Sequence, residues 1–533
     1  ECKMERTPLL NKQQQRGIQD AEPIEPKKFL PFVLAVTVSL GAVSFGYSLG
    51  FTSPLHGPPS NNTCGSAATT NSSGADTGTI PILRGHDEAV DDDTWTWFGS
   101  LVNLGAMAGA VLGSPLLDMC GRKGTIILST IPMIAGFWLI FIASGEHAVL
   151  ELLAGRVLTG ISVGLTSVAV PTYIAETAPV SIRGGLGSIF QLGVVLGVMQ
   201  AYAVGDAFPA DGETLYRNMA WVGTLVSSAL FVLALFIPKS PRWLSNKGNF
   251  EGARASLVFL RGAEYDVDGE IDEMQQSQAR AQAEGKASLA ELFSGPTLKA
   301  MGVMTGLMLF QQLSGINSVI FFSGNIFAIA GLTNASLAAV ILGVTQVIVT
   351  GGSCLIIDKA GRRPLLMVAG IGMVGMLVVL GTFYFQKDGG YEPNGVVAIV
   401  AVVGYIAFFS LGLGAIPWLM MSEVFPLKYR APASSLMTLL NWTLSFVITK
   451  LFHTMVCSPL QAYGTFWLYG GICVVGVFFV LTKTPETKGK TLEEIEEYFT
   501  TGKGGGGAGA GNKLVIYTSL IVAVVTGVLL ALI

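Results

Sequence analysis

The 533 residues predict an all-α membrane protein: six plus six transmembrane helices, a cytosolic helical linker between the sixes, and a candidate thirteenth helix at the carboxy-terminal end. Three observations carry this expectation. Only 13% of residues are charged, against about 25% in a soluble domain, too few to coat a soluble particle of this size. Hydrophobic residues reach 51%. They gather in blocks of about 20, the length that crosses hydrocarbon, and show no heptad or triplet spacing. Short polar motifs in the first half of the chain return, in order, in the second.

Residues 1–28 form a polar cytosolic tail. The first bundle, 29–237, holds spans near 30–50, 95–117, 125–144, 150–172, 185–205 and 219–237. Residues 238–298 are polar and rich in Ala, Glu and Arg, and read as short cytosolic helices. The second bundle, 299–482, holds spans near 299–322, 335–357, 365–385, 396–421, 434–456 and 463–482. A cytosolic tail, 483–512, ends in a glycine-rich linker. The block 513–533 carries no charge beyond Lys513 and is long enough to span once more.

Basic residues orient the stack. With a cytosolic amino terminus, Arg84, Arg217 and Lys387 fall outside, Arg156 and Lys450 fall within spans, and every other Lys and Arg is cytosolic. Segment 51–94 then lies outside, with glycosylation sequons at Asn61 and Asn71. A third sequon, at Asn334, hugs a span. The net charge of −4 and the lack of a basic stripe give no sign of a nucleic-acid partner. Six cysteines make no disulfide scaffold. Cys120, Cys354, Cys457 and Cys473 read as small packed residues, and Cys64, in a polar loop, as a free thiol or a partner of Cys457.

The repeat has three parts, all on the cytosolic side. Asp118-Met119-Cys120-Gly121-Arg122-Lys123 after span 2 matches Asp358-Lys359-Ala360-Gly361-Arg362-Arg363 after span 8. Glu176 and Arg183 after span 4 match Glu423 and Arg430 after span 10. Pro238-Lys239-Ser240-Pro241-Arg242 after span 6 matches Pro485-Glu486-Thr487-Lys488-Gly489 after span 12. In each first motif glycine lets the backbone double back, Asp can cap a helix, and Arg can meet a carboxylate on a neighbouring loop. Ion pairs between the halves are expected to form a cytosolic gate that holds this side shut while the other opens.

These motifs resemble the major facilitator superfamily. Gln311-Gln312-Leu313-Ser314-Gly315-Ile316-Asn317, the Pro-x-Ser-Pro-Arg box at 238–242, Pro485-Glu486-Thr487-Lys488-Gly489 and Ile416-Pro417-Trp418 resemble its sugar-porter branch, over roughly residues 29–500. The stretch Phe45-Gly46-Tyr47-Ser48-Leu49-Gly50 and Trp97-Phe98-Gly99-Ser100 are similar to facilitative hexose transporters of internal membranes, with insect-type trehalose transporters as near relatives.

A sugar presents hydroxyls and no charge, so its site calls for amides and an aromatic face. Span 7 supplies Gln311, Gln312 and Asn317, which are costly in lipid unless they line a wet cavity. Span 5 adds Gln191 and span 11 adds Asn441. Trp418 follows Gly412, Gly414 and Pro417, which loosen span 10. The resemblance implies that these six residues contact the substrate. Phe321, Phe322, Ser410 and Ser445 depart from common polar partners and leave the sugar open between glucose, fructose, galactose, trehalose and inositol.

No Asp or Glu lies well inside a span, and Ser48 stands where proton-coupled relatives carry Asp. A facilitative hexose carrier, glucose first, is the expectation. A proton-coupled sugar or polyol symporter and a non-transporting sugar sensor are the alternatives. No metal cluster, nucleophile elbow or phosphate loop suggests an enzyme or a cofactor. Expected partners are a small neutral sugar, the bilayer and a clathrin adaptor. The adaptor would read Glu5-Arg6-Thr7-Pro8-Leu9-Leu10, which fits an acidic dileucine signal for endosomal or lysosomal retention, the plasma membrane being the other destination. Lys239 replaces the family's Glu in its box, so either the gate of that half is weaker or Glu264 or Asp266 partners it.

Overall fold

The computed structural model describes residues 27–55, 92–179, 182–208, 212–283, 289–329, 335–490 and 492–501. The sequons at Asn61, Asn71 and Asn334, the dileucine pattern and the thirteenth block lie outside the described residues.

Twelve spanning helices are present among the described residues. Span 1 runs through Phe29–Val38 and Leu40–Gly50. Spans 2 and 3 share the stretch Asp92–Ile142, broken at Gly121 (φ 74°). Spans 4, 5 and 6 are Ala148–Thr177, Arg183–Ala207 and Gly212–Ala234. Span 7 is Gly295–Leu313 and Ile316–Phe321, span 8 is Ala335–Ala360 and span 9 is Arg362–Asp388. Span 10 is Val396–Leu411 and Ile416–Val424, span 11 is Leu427–Cys457 and span 12 is Gln461–Lys483. Among the described residues eleven continuous stretches have the length and hydropathy to cross a membrane, one of them holding both spans 2 and 3.

The packing repeats as the motifs do. In the first half span 1 packs on span 5, span 2 on span 4, and the 2–3 stretch on span 6. In the second half span 7 packs on span 11, span 8 on span 10, and span 9 on span 12. The halves meet where span 11 lies along span 2 and where span 8 lies along span 5, contacts that exchange under the same pseudo-symmetry. Small residues permit the tightest crossings. A Cβ at Gly160 would stand 2.2 Å from the Val102 carbonyl, and one at Gly164 2.2 Å from that of Ala106. Large apolar side chains such as Leu104, Val111, Ile348 and Phe478 face outward, the arrangement lipid requires.

One face of the bundle carries both Gly-Arg turns and the linker, and is called the basic face below. Four linker helices lie there, Pro241–Asn246, Phe250–Arg261, Val267–Ala283 and Leu289–Leu292, with Leu492–Thr501 beyond span 12. Ser240 caps the first of them by accepting the Trp243 N–H at 3.2 Å. The buried Arg261 fastens the second, donating to the Thr177 carbonyl at 2.7 Å and to both oxygens of Glu270 at 3.0 and 3.2 Å.

Cys457 corrects the expectation of a packed thiol. It is disulfide-bonded, with its partner outside the described residues. Cys120, Cys354 and Cys473 are free.

Candidate functional site

Two spans are broken at the same depth. Span 7 breaks at Ser314 and Gly315, whose φ of 85° lies in the left-handed region glycine tolerates, and where a Cβ would strike the Tyr469 ring at 2.3 Å. Span 10 breaks between Leu411 and Ile416. A broken helix in lipid must find partners for its freed carbonyls. The Gln311 amide donates to the Leu413 carbonyl at 2.6 Å, and the Tyr405 hydroxyl to the Ser314 carbonyl at 2.9 Å.

Around these breaks the amides bond to one another. Asn441 Nδ2 donates to Gln311 Oε1 at 2.7 Å, and Gln312 Nε2 to Asn441 Oδ1 at 3.1 Å. Asn317 Nδ2 donates to Gln312 Oε1 and to Ser445 Oγ, both at 2.6 Å. All of these residues are buried. The chain thus presents donors and acceptors but no charge, the chemistry that suits polyhydroxylated solutes. Of the six residues expected to contact substrate, four are joined here. Gln191 and Trp418 are half-buried and lie outside the hydrogen-bonded chain among the described residues; Trp418 packs against the apolar core. Gln346, on span 8, is buried with Oε1 unpartnered.

Sequence reasoning missed Asn103. It sits on span 2, in the other half, and accepts the Ser445 hydroxyl at 2.9 Å. Its signal was a lone amide in an otherwise apolar, small-residue run.

The halves also touch on either side of the amides. Towards the face opposite the basic one, Tyr202 donates to the Ile320 carbonyl at 2.7 Å, and the Ser53 and Ser323 hydroxyls lie 2.7 Å apart. Towards the basic face the Ser114 and Ser435 hydroxyls lie 2.9 Å apart.

The fully buried Arg156 lies near the amino-terminal spans' meeting point. It donates to the carbonyls of Ser48 and Phe98 at 2.8 and 3.1 Å and to Thr52 Oγ1 at 3.1 Å. The Phe98 ring lies 5.1 Å away and adds a cation–π contact.

On the basic face the repeat becomes two matching ion-pair clusters. In the first half Arg122 pairs with Glu176 at 2.7 Å, and Ser240 donates to the other Glu176 oxygen. In the second half Arg362 pairs with Glu423 at 2.8 Å and with Asp358 at 3.0 Å, and Thr487 donates to the other Glu423 oxygen at 2.6 Å. These pairs run within a half, which corrects the expectation of pairs between halves. The reason lies in the packing: span 4 lies against the 2–3 stretch, which brings Glu176 to the Arg122 of its own bundle.

The remaining gate candidates behave differently. Glu486 is a helix cap, its carboxylate accepting the N–H groups of Arg362 and Arg363 at 3.0 Å each and that of Lys488 at 2.9 Å. Burial opposes its ionisation, but the backbone donors outweigh it and hold the carboxyl below its usual range. Arg430 donates to the Phe425 carbonyl at 3.3 Å, while Asp118 and Arg242 are exposed. The Arg183 side chain lies outside the described residues. Lys239 pairs with neither Glu264 nor Asp266; its ammonium lies 5.9 Å from the Trp243 ring, and Asp266 caps the third linker helix through Gly269.

The family model for "Sugar (and other) transporter" matches residues 34–499. A facilitated trehalose transporter homologue of Drosophila simulans is 39% identical over 76% of this chain and 82% of its own length. A sugar transporter of Arabidopsis thaliana, ERD6-like 6, is 37% identical over 87% of this chain and 89% of its own. Among solved structures, the partially occluded inward-open form of the xylose transporter XylE from E. coli superposes with a TM-score of 0.68 at 25% identity, covering 86% of this chain and 99% of that one. The same transporter, a proton:xylose symporter, bound to 6-bromo-6-deoxy-D-glucose gives 0.69 at 25% identity over 88% and 99%. With two six-span bundles, paired Gly-Arg turns and a family match along nearly its whole length, the chain belongs to the sugar porter family of the major facilitator superfamily and is a multi-pass membrane transporter of sugars.

Proposed function

We propose that the chain is a facilitative carrier that moves a neutral hexose, glucose first, down its gradient by alternating access. Gln191, Gln311, Gln312, Asn317, Trp418 and Asn441 form its sugar site. The observation that carries this reading is the chain of mutually bonded, uncharged amides running from Gln311 to Ser445. It offers a sugar both donors and acceptors at the seam of two pseudo-symmetric bundles, the position such sites take in transporters built from repeats.

Uniport is supported by the lack of any Asp or Glu well inside a span. Arg156, the one fully buried arginine among the described residues, is served by carbonyls and a hydroxyl, so it needs no titrating carboxylate beside it. The relatives named for facilitated trehalose transport favour the same reading and make trehalose the second substrate candidate. Proton-coupled transport is the alternative, favoured by the name of the xylose symporter.

In this reading the basic face is cytosolic. The clusters around Asp118, Arg122, Glu176, Arg183 and Arg242, and around Asp358, Arg362, Glu423, Arg430 and Glu486, brace each bundle at the gate. Asn61 and Asn71 would carry glycans outside, and an adaptor would read the dileucine pattern to retain the chain on endosomal or lysosomal membranes. Uptake of a labelled sugar panel into proteoliposomes, with and without a pH gradient, tests the proposal. Saturable hexose uptake without alkalinisation of the weakly buffered medium is expected. Sugar-driven proton flux would replace uniport with symport, and no saturable flux of any sugar would end the reading.

A further inference from the structure

We infer that Asn103, on span 2, is a further sugar-contacting residue, the one by which the amino-terminal half completes the amide cluster. The inference rests on the proposal that this cluster is the sugar site. Asn103 is fully buried, with relative exposure of 0%. Its Oδ1 accepts the Ser445 hydroxyl at 2.9 Å, and Ser445 Oγ in turn accepts from Asn317 at 2.6 Å. The amide chain that starts at Gln311 therefore continues across the seam between the halves and ends on Asn103.

It ends there with a donor to spare. Asn103 Nδ2 is buried and has no hydrogen-bond partner. A buried amide kept only to glue two helices would be expected to satisfy both its ends, since an unpaired donor in a low-dielectric interior is costly. An amide that waits for a ligand leaves one end open. The missing partner is an acceptor, and with amides rather than charged groups around it a hydroxyl oxygen of a neutral sugar fits.

The location gives the contact a second consequence. Span 2 runs along span 11 through three levels: Trp97 against Phe446 and the Lys450 ammonium, Asn103 against Ser445, and Ser114 against Ser435. Asn103 is the middle level, at the depth of the amides. A sugar held by Asn103 on one side and by Gln312 and Asn317 on the other would bridge the two halves, so binding itself would draw them together.

Full-length protein in proteoliposomes provides the test. Entry KM and turnover are measured for the transported sugar and for each of its monodeoxy analogues, in wild type and Asn103→Val. We expect the KM for the parent sugar to rise about threefold to tenfold, the worth of one hydrogen bond, with a smaller change in turnover. The penalty should vanish for the one analogue that lacks the hydroxyl Asn103 meets, and persist for the others. Ratios within one variant cancel differences in folded amount. Asn103→Thr, which keeps a donor, is the second variant in case valine does not fold, and should retain part of the discrimination. An equal penalty for every analogue, or an unchanged KM, overturns the inference while leaving the sugar site intact. Wild-type vesicles that take up no sugar overturn the site reading, and this inference with it.

Discussion

Lys239 occupies in the first half the position that Glu486 occupies in the second, the residue after the matching Pro238 and Pro485. Glu486 caps the span 9 amino terminus by accepting two N–H groups, and Lys239 leans on Trp243 instead. Lys239→Glu would put a carboxylate within the reach of the Arg122 and Lys123 N–H groups and tie the linker more tightly to its bundle. Turnover should fall by up to about tenfold, the equivalent of ~1.4 kcal/mol on the opening barrier. Unchanged kinetics in zero-trans uptake would sink this account.

The Glu486 cap has a pH signature. Its carboxyl is held below the ordinary range in the folded protein, so its stabilisation is complete above the unfolded pKa of about 4.3 and is lost only as pH falls through the lower folded value. Wild type and Glu486→Gln should therefore differ in thermal stability by a constant amount from neutral pH down to about 5 and converge only in stronger acid. Convergence already near neutrality would show that the carboxylate is not what the backbone donors hold.

Arg122 and Glu176 have side chains only 13% and 9% exposed, which puts their pair well beyond the weight of a surface contact. Removing one partner leaves a largely buried charge unpaired, at a cost of about 3 kcal/mol. Glu176→Gln should lower the unfolding midpoint in detergent accordingly, and Ser240→Ala by about 1 kcal/mol. Glu423→Gln should cost less, because Arg362 keeps its pair with Asp358 at 3.0 Å, and the two effects should add, because the clusters belong to different bundles. A Glu176→Gln midpoint equal to wild type would mean the pair is solvated after all.

The spans and paired turns were legible because hydropathy reports burial in lipid directly, and because Gly121 and Gly361 mark the same positive-φ reversal twice. The amides of span 7 were legible as a group because three amides in seven residues are costly in lipid. Partner choice was not legible. The same acids and arginines can pair within or between halves, and only the packing of span 4 beside the 121–123 turn brings Glu176 to Arg122. Asn103 escaped for a related reason: one amide in an apolar run has no periodicity, and its meaning depends on Ser445, 342 residues away. Cys457 looked like its apolar neighbours because a disulfide leaves no trace in local composition.

Cys120 is exposed on the basic face, whereas Cys354 is half-buried and Cys473 buried. A membrane-impermeant maleimide should label it only after the plasma membrane is opened, if that face is cytosolic. Cys120→Ser, run in parallel, separates its signal from that of any other free cysteine. Labelling of Cys120 in intact cells bearing the protein at their surface would invert the proposed orientation.

Ser48 and Arg156 decide between uniport and symport. Arg156 already donates to two carbonyls and one hydroxyl, so its charge is stabilised without a carboxylate, and Ser48 Oγ is buried without a partner. Nothing at this point changes charge between pH 5.5 and 7.5, a window of about two units around the ordinary histidine range. Wild-type uptake should therefore be flat across it. Ser48→Asp would introduce a carboxylate beside the arginine, in a setting where burial raises and Arg156 lowers its proton affinity. Uptake by that variant should acquire a pH dependence, approaching about tenfold per pH unit on one limb, the limit for a single proton. A wild type that already shows such a slope would place the titrating group elsewhere.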